Sequence, residues 1–298
     1  MSATKKTLSI VTPVYNRARL MERVFGSLIL QTNEEFEWII IDDGSNDNIE
    51  EVVKGFLQKA SFPILYLTQL NAGKCAALNY AFSKCDTELV MVLDSDDYLA
   101  ENAVSQIIAF WRTVKKQKDC IGIASYKQQE DGKISGRLFD PTIKKATLNR
   151  LNYHYRRHGE LALAYKTELV RRHPFMVSKG EKFSSEEIQY NELDREGMLY
   201  LLNAVTMIME YQPDGLTKNY WKLWMENPMA TKMLLNSKYR HTLELDPADV
   251  LIKKIKTIVQ YDMLASRSSS FKLRQAPNKA LAVCLYLPSA LLANKMIG

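Results

Sequence analysis

Residues 90–99 read VMVLDSDDYL, so Asp94, Asp96 and Asp97 stand directly behind the apolar run 89–93. Like charges this close repel one another, and a bound divalent cation relieves the repulsion. Two carboxylates one residue apart, Asp94 and Asp96, can point to the same side of an extended strand end and offer hard oxygens. Mg²⁺ or Mn²⁺ held by one or two carboxylates keeps positions open for the oxygens of a diphosphate, and a bridged diphosphate is a better leaving group. The competing role for Asp96 or Asp97 is to cap a helix beginning near Glu101. The bare D-x-D pattern leaves these two roles even.

Three other residue types suit the same chemistry. Tyr15 offers an aromatic face that can stack on a nucleobase. Asp43 could accept the imide N–H of uracil; guanine also presents N–H donors, so the pair points to a nucleotide more firmly than to uridine. Lys74 follows Gly73 at an expected helix start, where backbone N–H groups and an ammonium could meet phosphate. Taken alone, Lys74 reads more readily as an exposed helix lysine.

Positioning these residues requires a sheet. Short β-rich runs at 8–12, 37–41, 64–67, 89–93 and 121–125 have the length of buried strands. Between them Leu20, Val24, Leu28 and then Val104, Ile107, Ile108, Trp111 recur at helical spacing. The pattern predicts βαβ units around a mostly parallel sheet. Ligands of such sheets bind beyond the carboxyl ends of the strands. The segments that follow the first four strands are TPVYNR, DDGSND, NAGKCAALN and DSDD. Each alone could be a turn or a cap. Four on one sheet edge are harder to dismiss as turns and caps.

Composition sets the outer limits. The 298 residues, 46% of them hydrophobic, can bury a large core. The four cysteines form no C-x-x-C pair, and the N-terminus has no apolar signal core, so a reducing cytoplasm is the expected compartment. The longest apolar run, 281–293, is interrupted by Pro288. It falls short of the length of a membrane-spanning helix, roughly 20 residues. Net charge is +6, and beyond Val250 eight Lys and Arg face one acid, Asp262. Such a tail could rest on an anionic membrane surface or be a solvated helix face, and charge alone leaves the two even. Nucleic acid is not expected, because the basic residues are not interleaved with a binding motif. His154, His158, His173 and His241 lack metal-ligand spacing and are expected at the surface or in loops.

LSIVTPVYNRARLMERVFGSLILQT, WIIIDDGSNDN, NAGKCAALNYAF and LVMVLDSDDYL together resemble the successive motifs of inverting glycosyltransferase family 2, in order and spacing over residues 7–130. The resemblance implies a GT-A fold: a Rossmann-like, mostly parallel sheet flanked by helices, here with a helical C-terminal extension. It implies a catalytic domain over 1–219, with a nucleotide-sugar half (1–130) and an acceptor half (131–219), and a basic helical extension over 220–298. Carried over by position, Tyr15 would stack on uracil, Asp43 would bond the base and Pro13 would complete the nucleoside pocket. Asp94, with Ser95 beside it, would lie near the ribose and donor sugar. Asp96 would ligate Mn²⁺ or Mg²⁺, with Asp97 in reserve.

An inverting transfer also needs a base for the acceptor hydroxyl. GEKFSSEEIQYNEL, residues 180–193, resembles the family's base-bearing segment, with Tyr190 at the position of an aromatic that is often tryptophan. This register picks Glu186 and leaves Glu187 as the alternative; Ser184 or Ser185 followed by acids is equally a good helix N-terminus. RRHGELALAYKTELV resembles the start of the acceptor half, with Glu160 lining it, and YQPDGLTKN the turn that closes the catalytic region. The implied activity moves a sugar from a nucleotide-diphosphate donor, a UDP-sugar first, to a surface glycan or lipid-linked glycan, at the inner face of the plasma membrane. The competing readings are a nucleotidyltransferase, which would show a Gly-rich phosphate loop that TPVYNR lacks, and a catalytically silent nucleotide- or glycan-binding module.

Overall fold

Leu8–Val14 (β1) buries Leu8 and Ile10 on one side and Val11 on the other, so the strand is covered on both faces, as its near-continuous apolar sequence requires. A computed structural model of the chain describes residues 6–210 and 220–297. From β1 the chain continues through Ala18–Ile29 (α1), Phe36–Asp42 (β2), Ile49–Lys59 (α2), Ile64–Thr68 (β3), Lys74–Lys84 (α3), Leu89–Val92 (β4), Asp97–Leu99 (β5), Ala103–Val114 (α4) and Cys120–Gln129 (β6). All five expected strands and both expected helices form.

Lys145–Ala146 (β7), Leu148–Tyr153 (α5), Leu161–Lys166 (β8), Thr167–Arg172 (α6), Glu187–Leu193 (α7) and Met198–Met209 (β9) follow. The sheet order is β3-β2-β1-β4-β8-β6-β9-β5, with β7 on β9. β3, β2, β1 and β4 are parallel, as the βαβ pattern predicts. Beyond β4 the sheet becomes mixed: β8 inserts antiparallel between β4 and β6, and β5 pairs antiparallel with β9. β7, β8 and β9, between residues 145 and 209, thus complete the sheet begun by the first half.

One core layer packs α1, α2 and α4 on one face, around Trp38, Phe25 and Phe56. The other packs α3, α5 and α6 on the opposite face, around Leu78, Phe82 and Tyr165. Tyr220–Glu226 (α8), Pro228–Arg240 (α9), Pro247–Ala265 (α10) and Lys279–Met296 (α11) form a third cluster around Trp224, Leu235, Ile258 and Tyr261. Ile188 of α7 belongs to this cluster, and Phe183 packs against it. Residues 211–219, which hold YQPDGLTKN, lie outside the described residues.

Candidate active site

The parallel register brings the four polar segments to one edge. Val14 pairs with Asp42, Asp42 with Thr68 and Val11 with Val92, so Tyr15, Asp43 and Asp94 all follow strand ends on the same side of the sheet. The loops then clasp one another. Asn16 N–H donates to Ser45 Oγ (2.9 Å) and Asn46 N–H to Asn16 Oδ1 (2.7 Å). Asp47 caps α1 by accepting from Ala18 N–H at 2.8 Å. Pro13 is half-buried, and Tyr15 is left 47% exposed, its ring free to take a stacking partner.

Asp43 is buried and accepts from the Ala72 and Gly73 N–H groups at 2.8 Å each and from Gln69 Nε2 at 2.7 Å. Its first task is therefore to hold loop 69–73, and a base N–H would be a further donor to a carboxylate already holding three. Gly73 has φ +92°, and a Cβ there would lie 1.7 Å from the Lys182 carbonyl oxygen. Only glycine admits this approach. Cys75 Sγ also donates to Ser184 O at 3.2 Å. The start of α3 is thereby pressed against segment 182–186, a contact no local motif announces.

Lys74 is the centre of this contact. Its Nζ lies 2.8 Å from Asp94 Oδ1 and 2.7 Å from Glu186 Oε1. It is thus a bridging cation, and the reading of a lone exposed helix lysine does not hold. Desolvation pulls the ammonium's pKa down, but Asp94 and then Glu186 outweigh it and hold the pKa well above the ordinary lysine value. For Asp94 desolvation pushes up, and Lys74 followed by Lys127 brings the carboxyl below its usual range. Tyr190 Oη donates to Glu186 Oε2 at 3.1 Å; burial, then Glu186, raises that phenol far above its ordinary value.

The two candidate bases diverge. Glu186 faces Lys74, which also holds Asp94, whereas Glu187 Oε2 faces Lys238 Nζ of α9 at 3.5 Å. Glu187 N–H donates to Ser185 Oγ at 3.3 Å, so Ser185 has a capping role as well, while Ser184 Oγ is buried without a protein partner.

The three aspartates also separate. Asp96, with its side chain 27% exposed, accepts from Arg17 Nη1 through Oδ2 at 3.1 Å; burial and Asp94 raise its pKa. Asp97 is buried against Lys127 Nζ at 2.7 Å, and Lys127 also reaches Glu160 at 3.2 Å. Burial lifts Asp97 to about 6 despite Lys127. Its ion pair points it away from the reserve role of metal ligand. Neither Asp96 nor Asp97 caps a helix: α4 starts behind Asn102 at φ 61° with no side-chain cap, because the Asp97–Leu99 strand intervenes. Ser95 is buried between the acids.

The donor set fits a hard divalent cation. Asp94 and Asp96 are carboxylates, both partly exposed, each now balanced by a side-chain cation, Lys74 or Arg17. Arg17 and Lys127 were not singled out by the sequence. Arg17 ends the quoted TPVYNR, while Lys127 lies on β6 with no local pattern to mark it. Among the histidines, His241 lies in the loop after α9, as expected, but is buried there at 2% exposure, with Nε2 3.4 Å from Asp194 Oδ2. His154, by contrast, is partly exposed and meets Asp246 and Asp249 at the start of α10.

Loops clasped at the carboxyl edge of a half-parallel, half-mixed sheet, with acids from both parts of the chain converging on one lysine, define the GT-A class. The chain belongs to glycosyl transferase family 2, whose family model matches residues 9–176, more than half of its length. An uncharacterized glycosyltransferase of Nostoc sp. is 30% identical over 140 residues, 47% of this chain and 40% of that protein. The chain spans less than half the length of the curated relatives it matches first. Among solved structures, S. aureus TarS 1-349 in complex with UDP-GlcNAc superposes with a TM-score of 0.60 at 15% identity, covering 95% of this chain and 90% of that one. The mannosyltransferase PcManGT from Pyrobaculum calidifontis, in complex with GDP-Man and Mn²⁺, gives 0.55 at 16% identity, covering 99% and 80%. At these identities the two structures establish the fold.

Proposed function

We propose that the protein is an inverting glycosyltransferase that moves a sugar from a nucleotide-diphosphate donor, a UDP-sugar, to a glycan or lipid-linked glycan, with Glu186 as general base. One observation carries this reading. Glu186 and Asp94, far apart in the chain, meet the same Lys74 ammonium at 2.7 and 2.8 Å, so a base candidate stands beside the acids that would hold the donor. Tyr15 stacks on the base, Pro13 walls the nucleoside, and Asp43 holds loop 69–73 under it while accepting from the base edge. Asp94 and Ser95 border the ribose and donor sugar.

Asp96, with Asp94 beside it, would hold Mn²⁺ or Mg²⁺. When bound, the ion would neutralise charge on the diphosphate and so favour its departure. Glu186 takes the proton of the acceptor hydroxyl as that oxygen bonds to the anomeric carbon. The bond from that carbon to the diphosphate oxygen breaks with its electron pair on the nucleotide, and attack opposite the leaving group inverts the centre. Lys74, between donor and base, supplies a fixed positive charge where negative charge develops. The membership in family 2 and a GDP-Man- and Mn²⁺-bound neighbour support a metal-assisted donor site. The expected domain limits, catalytic over 1–219 and helical from 220, are kept in this reading.

Calorimetric titration of UDP, with Mn²⁺ and again with chelator, tests it, using GDP as control. Binding of UDP that requires Mn²⁺ and disappears in Asp96→Ala is the expected result. GDP binding in place of UDP would reassign the donor. Intact nucleotide binding with no transfer from any sugar of a donor panel would favour the silent binding module.

A further inference from the structure

Helix α11 is apolar on every side: residues 280–294 carry no charge, and the helix is charged only toward its two ends, at Lys279 and Lys295. A helix of that kind is normally covered all round. Here only Ala282, Ser289 and Ala293 are buried, three small residues facing the rest of the helical cluster. Leu281 and Leu285 also pack, partly buried, against that cluster, but the other side of the helix carries large side chains that point away from it. Val283, Leu287 and Leu291 are 65%, 75% and 68% exposed, and Met296 extends the apolar surface at 51%. Spaced four residues apart, the first three form one stripe along the helix. The helix thus packs one side on the cluster and leaves a continuous stripe of large apolar side chains on the other, which a surface helix covered by water alone should not show.

Charge decides what covers it. Beyond Val250 the one acid, Asp262, is fully buried in α10 and contributes nothing to the surface. Lys256, Arg267, Lys272, Arg274, Lys279 and Lys295 are all exposed. A second copy docked through the same stripe would bring two basic rims together. An anionic bilayer accepts both the apolar stripe and the basic rim. No helix among the described residues is long and apolar enough to cross a membrane, and α11 has one side packed against the protein.

We infer that α11 is an interfacial helix, lying in the plane of an anionic membrane with Val283, Leu287 and Leu291 in the acyl boundary and Lys279, Lys295 and Arg267, which bonds Asn294, at the headgroups. The surface is independent of the proposed transfer chemistry.

The test is co-sedimentation of the full chain with phosphatidylcholine vesicles and with vesicles that also contain phosphatidylglycerol. The expected result is sedimentation with the anionic vesicles that weakens with salt, and a loss of about tenfold or more in the double variant Leu287→Asp, Leu291→Asp. Both positions are exposed, so the variant should keep the wild-type circular dichroism melt. Wild-type protein left in the supernatant overturns the inference. So does undiminished sedimentation of the double variant, which would place binding elsewhere. A wild-type dimer that the variant splits, without vesicle binding, would assign the stripe to a second copy.

Discussion

The proposed donor side of the site and the proposed base side are held by opposite means. On the donor side each loop leaves a strand end and is pinned by the next loop along: Ser45 and Asn46 on Asn16, Asp47 on α1, Asp43 on 69–73. Segment 181–191 has no such strand register. It is held from outside by α9: Glu181 accepts from Met229 N–H at 2.8 Å and from Ala230 N–H at 2.7 Å. Glu181 thereby satisfies N–H groups at the helix start that the Asn227 side chain leaves uncapped. Asn227 Oδ1 instead accepts from Phe183 N–H at 3.2 Å, and Asn191 Nδ2 donates to Ser237 Oγ at 3.0 Å. The helical extension thus brackets segment 181–191, which carries the proposed base. Donor binding and transfer should therefore be separable by mutation.

The largest effect is expected at the base. Glu186→Gln should lower kcat by about 10²–10⁴-fold, the usual worth of a general base, with UDP affinity unchanged. Glu187→Gln, facing Lys238, should stay near wild type in the same assay. An inactive Glu187→Gln beside an active Glu186→Gln would shift the register by one and assign the base to the carboxylate that faces Lys238.

A smaller effect should follow from loosening the bracket without touching the site. Glu181→Ala removes the cap of α9, a loss of about 1 kcal/mol. The expected signature is a lowered Tm together with a severalfold drop in kcat and unchanged UDP affinity, partly rescued in Glu181→Gln. A fall in Tm alone, with kcat intact at temperatures well below unfolding, would reduce α9 to a passive support.

The smallest effect sharpens the contrast in charge. On the sheet side buried Asp97 has Lys127; in the extension both Asp262 oxygens are buried without a partner, and burial lifts this carboxyl to about 7. In the folded chain Asp262 keeps its proton through a pH range where the unfolded chain, near the ordinary value of about 4, has released it. Its contribution to stability therefore falls as pH rises from about 4 to about 7. Asp262→Asn should accordingly gain Tm relative to wild type across that window, with activity unaffected. A constant difference in Tm at all pH values would contradict the assignment.

How much was legible follows from range. The strands, α1, α4 and the four edge segments could be read because apolar periodicity and turn chemistry act over a few residues. The shape of the sheet beyond β4 could not, since β8 and β9 find their neighbours only by packing. The same limit governs the site. Asp94, Asp96 and Glu186 were visible by type and motif, whereas the Lys74 bridge depends on Gly73 meeting Lys182, a contact between distant parts of the chain.

The family and the parallel part of the sheet could be read from the sequence, as could the residue types at the sheet edge, because those are set by local pattern repeated in fixed order. Tertiary packing alone turns Glu186 and not Glu187 toward Lys74, pairs Asp97 with Lys127, and leaves Val283, Leu287 and Leu291 of α11 facing outward. Each of these is a choice between neighbouring residues or faces. Such choices are made by which partner lies across the gap, and that partner comes from a distant part of the chain.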